Sequence, residues 1–211
     1  MTSAELIRSL KKSGCLKTLR IIKAFEAVDR ADFVLPEYAD HAYENVPLPI
    51  GFGQTISQPL TVAFMLETLA PEPGEKILDI GSGSGWQTAL IAHIVGAHGH
   101  VYAMERIPEL YDFGHRNIAK YHFRNVTFFS QDASDGLANY APFHRIIAAA
   151  AATHHIPEAW KAQVDVGGRI VAPAASSIWR CDRVSDRHWE EREYPGFVFV
   201  PLISGGQNSK L

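Results

Sequence analysis

The sequence has little cysteine: two residues in 211, Cys15 and Cys181, far apart in the chain. That pattern argues for free thiols in a reducing compartment rather than a disulfide scaffold. It also has no surplus of positive charge. Twenty Lys and Arg stand against 23 Asp and Glu, a formal net charge of −3, so no basic face is on offer to a phosphate backbone and a nucleic-acid partner is not expected. No stretch approaches the roughly 18 apolar residues of a membrane span. The opening "MTSAELIRSLKKSG" lacks the apolar run of a signal peptide. The expectation is a cytoplasmic protein, a monomer, without membrane contact. Repeats and low-complexity tracts are absent as well. What is present is material for a core. With 46% apolar and 20% charged residues the chain suits one domain, read as a helical cap and substrate loop over 1–70 and an α/β core over 71–211.

Residues 2–28 read as two helices. Thr2 and Glu5 make a capping-box pattern, with Leu6, Ile7 and Leu10 on one apolar face and Gly14 as a stop. Residues 31–58, punctuated by Pro36, Pro47, Pro49, Gly51 and Gly53, read as loop, too irregular for a buried strand. A helix follows from Pro59, whose missing N–H suits a first turn. After the "PEPG" turn an alternation begins: "KILDI", a Gly-rich loop, a helix over 86–95, "HVYAME", a helix over 108–121, "VTFFSQD", "RIIAAAAA", a helix from about Pro157, and "GGRIVAP". The aromatic tail over 178–202 predicts a terminal β-hairpin. The fold class is α/β: a doubly wound, mostly parallel sheet with an N-terminal helical cap.

Ligands of such sheets lie outside the carboxyl ends of the strands. Three places there carry chemistry. In "LDIGSGSGWQ", Gly81, Gly83 and Gly85 allow a sharp turn and close backbone approach. A dinucleotide fingerprint would put glycine at 86, where this chain has Trp86. Asp79, two residues before Gly81, would repel a pyrophosphate but suits a cation. S-adenosylmethionine carries a sulfonium and an ammonium and no phosphate, so charge favours it over a nicotinamide dinucleotide. Glu105, ending the second core strand, is placed to accept from ribose hydroxyls. Asp132, past the third, is placed to accept from an adenine amino group, and Ala133 offers a backbone N–H; a turn or helix cap is the plain alternative for Asp132 and for Asp135. Together these spacings describe a Rossmann-like S-adenosylmethionine-dependent methyltransferase.

The chain further resembles one family, the protein-L-isoaspartate (D-aspartate) O-methyltransferases. The resemblance runs from about Arg30 to Leu202 and is carried by "RADFV", "AYENVPLPIGFGQTISQP", "LDIGSGSGWQTALIA", "APFHRIIAAAA", "IPEAW", "GGRIVAP" and "FVFVPL". It implies methyl transfer from S-adenosylmethionine to the free carboxyl of an L-isoaspartyl residue in a damaged, flexible peptide, leaving S-adenosylhomocysteine. The ester then closes to a succinimide, whose hydrolysis returns some normal aspartate. It implies that Ser57 lies by the carboxylate, with Gln54, Thr55 and Ile56 on the substrate side. Ser82 and Arg106 join the cofactor contacts already named. Without the resemblance, Ser57 reads first as a cap for the helix at Pro59.

Four departures from the family pattern lie near the adenine side and the peptide rim. His144 stands where Pro-Phe-Asp is usual, Ala133 where Asp-Gly is common, "IAAAAATHH" where "VTAAA" is common, and Ala175 sits in "VAPAAS" where a glycine often follows. They keep two alternatives open: a relative that esterifies an aspartate of one dedicated peptide, and a cofactor-binding homologue without activity. A nicotinamide-dependent dehydrogenase is a third, disfavoured by Trp86 and Asp79. The adjacent His154 and His155 do not form a metal-ligand spacing, and no metal is expected.

Overall fold

The structure, a computed structural model, describes residues 1–203. The last eight positions of the expected core range, 204–211, lie outside the described residues. Helix α1 (Ser3–Lys12) opens on the capping box read from the sequence. The Glu5 N–H donates to Thr2 Oγ1 at 3.3 Å and the Thr2 N–H donates to the Glu5 carboxylate at 2.8 Å. Helix α2 (Leu19–Ala27) buries Ile21, Ile22, Ala24 and Phe25. Two 3-10 turns, Arg30–Phe33 and Pro36–His41, follow.

The segment expected to be irregular is in fact a two-stranded hairpin. Strand β1 (Leu48–Gly51) pairs antiparallel with β2 (Gln54–Ile56). Pro49 is tolerated because this ribbon stands apart from the main sheet, so its missing N–H costs no central ladder bond. Leu48, Ile50 and Ile56 are buried, and the tip turns through three successive positive φ angles at Gly51, Phe52 and Gly53. Helix α3 (Pro59–Leu69) begins at the expected proline.

The alternation then unfolds as read: β3 (Lys76–Ile80), α4 (Trp86–Val95), β4 (His100–Glu105), α5 (Pro108–Ala119), β5 (Val126–Ser130), β6 (Phe143–Ala148), α6 (Glu158–Lys161), β7 (Val164–Ala174), β8 (Ser177–Ser185) and β9 (His188–Pro195). The seven strands stand in the order β5-β4-β3-β6-β7-β8-β9. Strands β3 to β7 pair in parallel, and β8 and β9 complete the sheet as an antiparallel meander. The chain reverses direction of growth between β3 and β6, the position where such a sheet leaves a crevice.

Successive residues of the central strands bury opposite faces, as parallel strands covered on both sides must. Ile77, Val101, Ile147 and Val171 join one core with the cap, α3, α4 and α5. Leu78, Ile80, Met104, Ile146 and Ile170 join the other, around the wholly buried Trp160. This second face is thin. Its helix, α6, is a single turn, and β5 reaches β6 through a 3-10 turn at Ala138–Tyr140. The strand expected to continue to residue 152 ends at Ala148, and Ala149 and Ala150 leave the ladder at the crevice.

Two departures from the family pattern have local structural roles. His144 Nδ1 accepts the Lys76 N–H at 2.9 Å, satisfying the first amide of β3. Ala175 opens the two-residue turn between β7 and β8 with φ 51. An L-residue with a Cβ is disfavoured there by about 1 kcal/mol, whereas glycine is not. Ala175→Gly is therefore expected to stabilise the fold by about 1 kcal/mol. Calorimetry should show Tm rising by roughly 2–4 °C.

Candidate active site

The carboxyl ends of β3, β4, β5 and β6 converge on one cavity. Its floor is the turn after β3. Gly81 and Ser82 donate their N–H groups to the Met104 carbonyl at 2.9 and 3.0 Å, and the Gly85 N–H donates to the Ser82 carbonyl at 2.8 Å. Gly85 has φ 86 as it enters α4. Gly114 of α5 packs beneath this turn so closely that a Cβ there would lie 2.6 Å from the Gly83 carbonyl oxygen. The missing side chain at 114 is what allows α5 to seat the loop.

Glu105 is buried at the end of β4. Its Oε2 accepts the Gly83 N–H at 3.0 Å and its Oε1 accepts the Ile107 N–H at 2.9 Å. A carboxylate oxygen accepts more than one bond, so the group ties the loop down and still faces the cavity. Arg106 lines the same space, as do Gln131, Asp132 and Ala133 after β5. No helix follows Asp132. Its Oδ1 accepts the Ser134 N–H at 2.8 Å, closing a tight turn, while the Ala133 carbonyl is held by Trp160 Nε1–H at 2.9 Å. Apolar walls come from Ile80, Met104, Ile107 and Leu110.

The hairpin supplies the opposite wall through Ile50, Gln54 and Thr55. Gln54 also braces its own turn, Nε2 donating to the Phe52 carbonyl at 3.3 Å. The outer wall is residues 200–203, laid beside Ala151, past the end of β6, by two hydrogen bonds: Ala151 N–H to the Val200 carbonyl at 2.8 Å and Leu202 N–H to the Ala151 carbonyl at 2.7 Å.

Ser57 lies next door. With Thr55 and Ile56 it lines a smaller cavity completed by Gly81, Ser82, Gly83, Ser84, Trp86 and Ala149. With Thr55 and Thr61 it also opens onto a groove flanked by Val198, Phe199 and Val200. Ser57 does not cap α3. The Leu60 N–H is taken instead by Asn45 Oδ1 at 2.9 Å, from outside the helix. Sequence reading therefore brought together Gln54, Thr55, Ile56, Ser57, Gly81, Ser82, Gly83, Glu105, Arg106, Asp132 and Ala133. It did not find Ile50, Ala149 or the 200–203 wall. Nothing in local sequence marks these residues as facing a cavity, since all are apolar positions brought in by tertiary packing.

Asp79 and Gly85 take different places from those expected. Gly85 sits below the loop, against Gly114 and Ile118. Asp79 is wholly buried behind the loop and outside both cavities. Gln87 Nε2 donates to its Oδ1 at 2.8 Å and Thr88 Oγ1 to its Oδ2 at 2.6 Å. Burial pushes its carboxyl up to about 6, against the lowering effect of these two donors, and Glu105 adds to the rise.

The residues present fit an adenosyl sulfonium cofactor. Ser82 Oγ and Trp86 Nε1 are buried polar atoms with no protein partner, both in residues lining the small cavity. At Gly83 a Cβ would come within 3.2 Å of Ile50 Cδ1, so the loop leaves backbone rather than side chain facing the ligand space. The acids that face the space, Glu105 and Asp132, suit hydroxyl and amino donors and oppose phosphate.

Residues 1–207 match the sequence family described as Protein-L-isoaspartate(D-aspartate) O-methyltransferase (PCMT). The chain is 43% identical over 203 residues to a protein-L-isoaspartate O-methyltransferase of Aeropyrum pernix, covering 94% of this chain and 78% of that one. It is 44% identical over 204 residues to one of Ignicoccus hospitalis, covering 94% and 96%. Among solved structures, a protein-L-isoaspartate O-methyltransferase superposes with a TM-score of 0.87 at 24% identity, over 96% of this chain and 66% of that one. A Plasmodium falciparum structure in complex with S-adenosyl-L-homocysteine superposes with a TM-score of 0.82 at 21% identity, over 94% of this chain and 97% of that one.

Asp79 generates a prediction. Its folded value, about 6, lies above the ordinary 3.8, so the folded state holds this proton more tightly than the unfolded state. The stabilisation is full below about pH 4 and is lost as pH rises towards 6. The stability of the native chain relative to Asp79→Asn, measured by denaturant unfolding, should therefore fall between pH 4 and 7, on the order of 3 kcal/mol in all.

Proposed function

The chain belongs to the protein-L-isoaspartate(D-aspartate) O-methyltransferase family, and from that membership we propose how its own residues carry out the reaction. The activity is methyl transfer from S-adenosylmethionine to the free carboxyl of L-isoaspartyl residues in damaged proteins or peptides, a repair reaction. When bound, the cofactor supplies an activated methyl on a sulfonium. Glu105, Asp132 and the turn over residues 81–83 would hold that group, and Thr55 and Ser57 would hold the accepting carboxylate in line with its methyl.

The protein's task is position. A carboxylate is already a nucleophile at neutral pH, and no proton has to be moved. Holding two reacting groups in line can contribute roughly 7–11 kcal/mol. In this reading Glu105 takes the ribose hydroxyls, Asp132 and the Ala133 N–H take the adenine edge, and the backbone of Gly81, Ser82 and Gly83 passes beside the methionine portion. Arg106 walls the cofactor space. Asp79 and Gly85 act through the loop they support. Thr55 and Ser57 orient the incoming carboxylate with neutral donors, which do not blunt its nucleophilicity as a cation would. Gln54 and Ile56 hold the hairpin in place.

The observation that supports this most directly is the cavity shared by Thr55 and Ser57 with Gly81, Ser82 and Gly83. In it the hairpin end and the turn after β3 line one small volume. The groove beside Ser57, bounded by Val198 and Phe199, suits an extended peptide. The proposal also takes residues 1–70 as cap and substrate loop on the remaining core, within one monomeric, cytoplasmic domain that does not engage nucleic acid or membrane. Two free thiols, Cys15 and Cys181, and the net charge of −3 agree with that setting. Among the described residues no helix is long and apolar enough to cross a membrane.

Two synthetic peptides identical except for one isoaspartyl or aspartyl linkage, with radiolabelled S-adenosylmethionine, test the assignment. Base-labile label is expected on the isoaspartyl peptide alone, across varied flanking sequences. Acceptance of one flanking sequence only would favour a dedicated peptide instead. Ser57→Ala is expected to lower kcat about 10- to 100-fold, the range for losing one preorganised donor, while calorimetry shows unchanged cofactor affinity. Glu105→Gln is expected to weaken cofactor binding about tenfold, as loss of a charge-assisted hydrogen bond would.

A further inference from the structure

Arg30 is the only arginine of the described residues whose side chain is nearly free of solvent, at 2% exposure, and it carries no counterion. None of the ion pairs among the described residues involves it. Its guanidinium is held by backbone carbonyls instead. Nη1 donates to Ala42 at 2.6 Å and to Glu44 at 3.4 Å, and Nη2 donates to Val46 at 3.0 Å and to Ser57 at 3.2 Å. The charge also lies 5.3 Å from the ring centroid of Trp86. Burial pulls its acidity towards neutrality, to about 10, so it remains a cation at physiological pH.

A buried cation without a carboxylate partner is costly, and an apolar side chain would fill the same volume more cheaply. The contacts indicate what the charge does here. Residues 42–46 follow a 3-10 turn and belong to neither a helix nor the main sheet, so their carbonyls need donors from elsewhere. A planar fork with five N–H donors serves several carbonyls at once; an ammonium has three donors on one point. One of the four carbonyls is that of Ser57. The aromatic ring belongs to the residue that follows the Gly loop and lines the small cavity. Arg30 thus spans the approach to the hairpin, the residue assigned to the substrate carboxylate, and the start of α4.

We infer that Arg30 is a positioning residue for methyl transfer: by clamping the carbonyls of Val46 and Ser57 over Trp86 it fixes where the Ser57 hydroxyl stands relative to the cofactor loop. It touches neither substrate nor cofactor. The inference rests on the reading that Ser57 orients the substrate carboxylate.

The test is a double-mutant cycle between Arg30→Lys and Ser57→Ala, with kcat, peptide KM and calorimetric cofactor affinity measured for each folded variant. Arg30→Gln is made in parallel, in case the buried ammonium prevents folding, since its amide keeps two donors without charge. Arg30→Lys or Arg30→Gln is expected to lower kcat at least tenfold with cofactor Kd within threefold of the native value. The double variant should turn over within twofold of Ser57→Ala alone, because a misplaced hydroxyl and a missing one lose the same interaction. A merely structural arginine would lower Tm while leaving kcat of the folded protein unchanged, or would add its loss to that of Ser57→Ala; either result overturns the inference and leaves the Ser57 assignment standing. An unimpaired Ser57→Ala protein overturns that assignment itself, and the inference with it.

Discussion

The end of β4 holds the site together. One carbonyl, that of Met104, accepts two loop amides, and the next side chain, Glu105, accepts two more. The Glu105 carbonyl then takes the Gln131 N–H at 3.0 Å, drawing the turn after β5 to the same point. Turns after three strands are thereby fixed to two adjacent residues. Buried backbone donors must find partners, and here the partners coincide with the wall that faces the ligand. The carboxylate that suits a ribose is the carboxylate that shapes the floor beneath it. Chemistry and scaffold are not separable at Glu105.

Much of this was legible in the residues. The strands after "PEPG" announce themselves by continuous apolar runs, and the helices follow as the segments between them, so α4 spans the residues read for it and α5 ends two residues early. Acids just past strand ends are visible because topology sends those ends to one edge. Three things were hidden. The hairpin over 48–56 carries a proline and two glycines, and its stability comes from Leu48, Ile50 and Ile56 packing against distant parts of the chain rather than from strand propensity. The helix cap on α3 comes from Asn45, fifteen positions before the amide it satisfies, so no local pattern contains it. Asp79 reads as a ligand from its place before the Gly loop. Its side chain is instead taken up by Gln87 and Thr88 of the next helix.

The departures from the family pattern follow the same logic. At 144 the ring nitrogen performs the accepting that an aspartate oxygen could perform, so the change conserves a hydrogen bond across different chemistry. Trp86, which departs from the dinucleotide fingerprint and not from the family pattern, extends a core. It meets Phe25 edge-to-face with centroids 5.5 Å apart and lies beneath the Arg30 guanidinium, joining α2 to α4. Ala133 adds a methyl to a buried turn whose carbonyl is anchored by Trp160. These are adjustments of packing around the acceptors of the site, and they leave the Glu105 and Asp132 carboxylates facing the cavity.

The outer wall of the cavity has a further meaning. Residues 200–203 close a space whose other walls are finished by residue 150, and the whole meander of β7, β8 and β9 lies between. Proteins are synthesised from one end. A nascent chain therefore acquires every acid that lines the cavity, and the complete sheet that presents them, before it owns an enclosed site. A copy without residues 200–203 would lack that wall and leave the cleft open along one side.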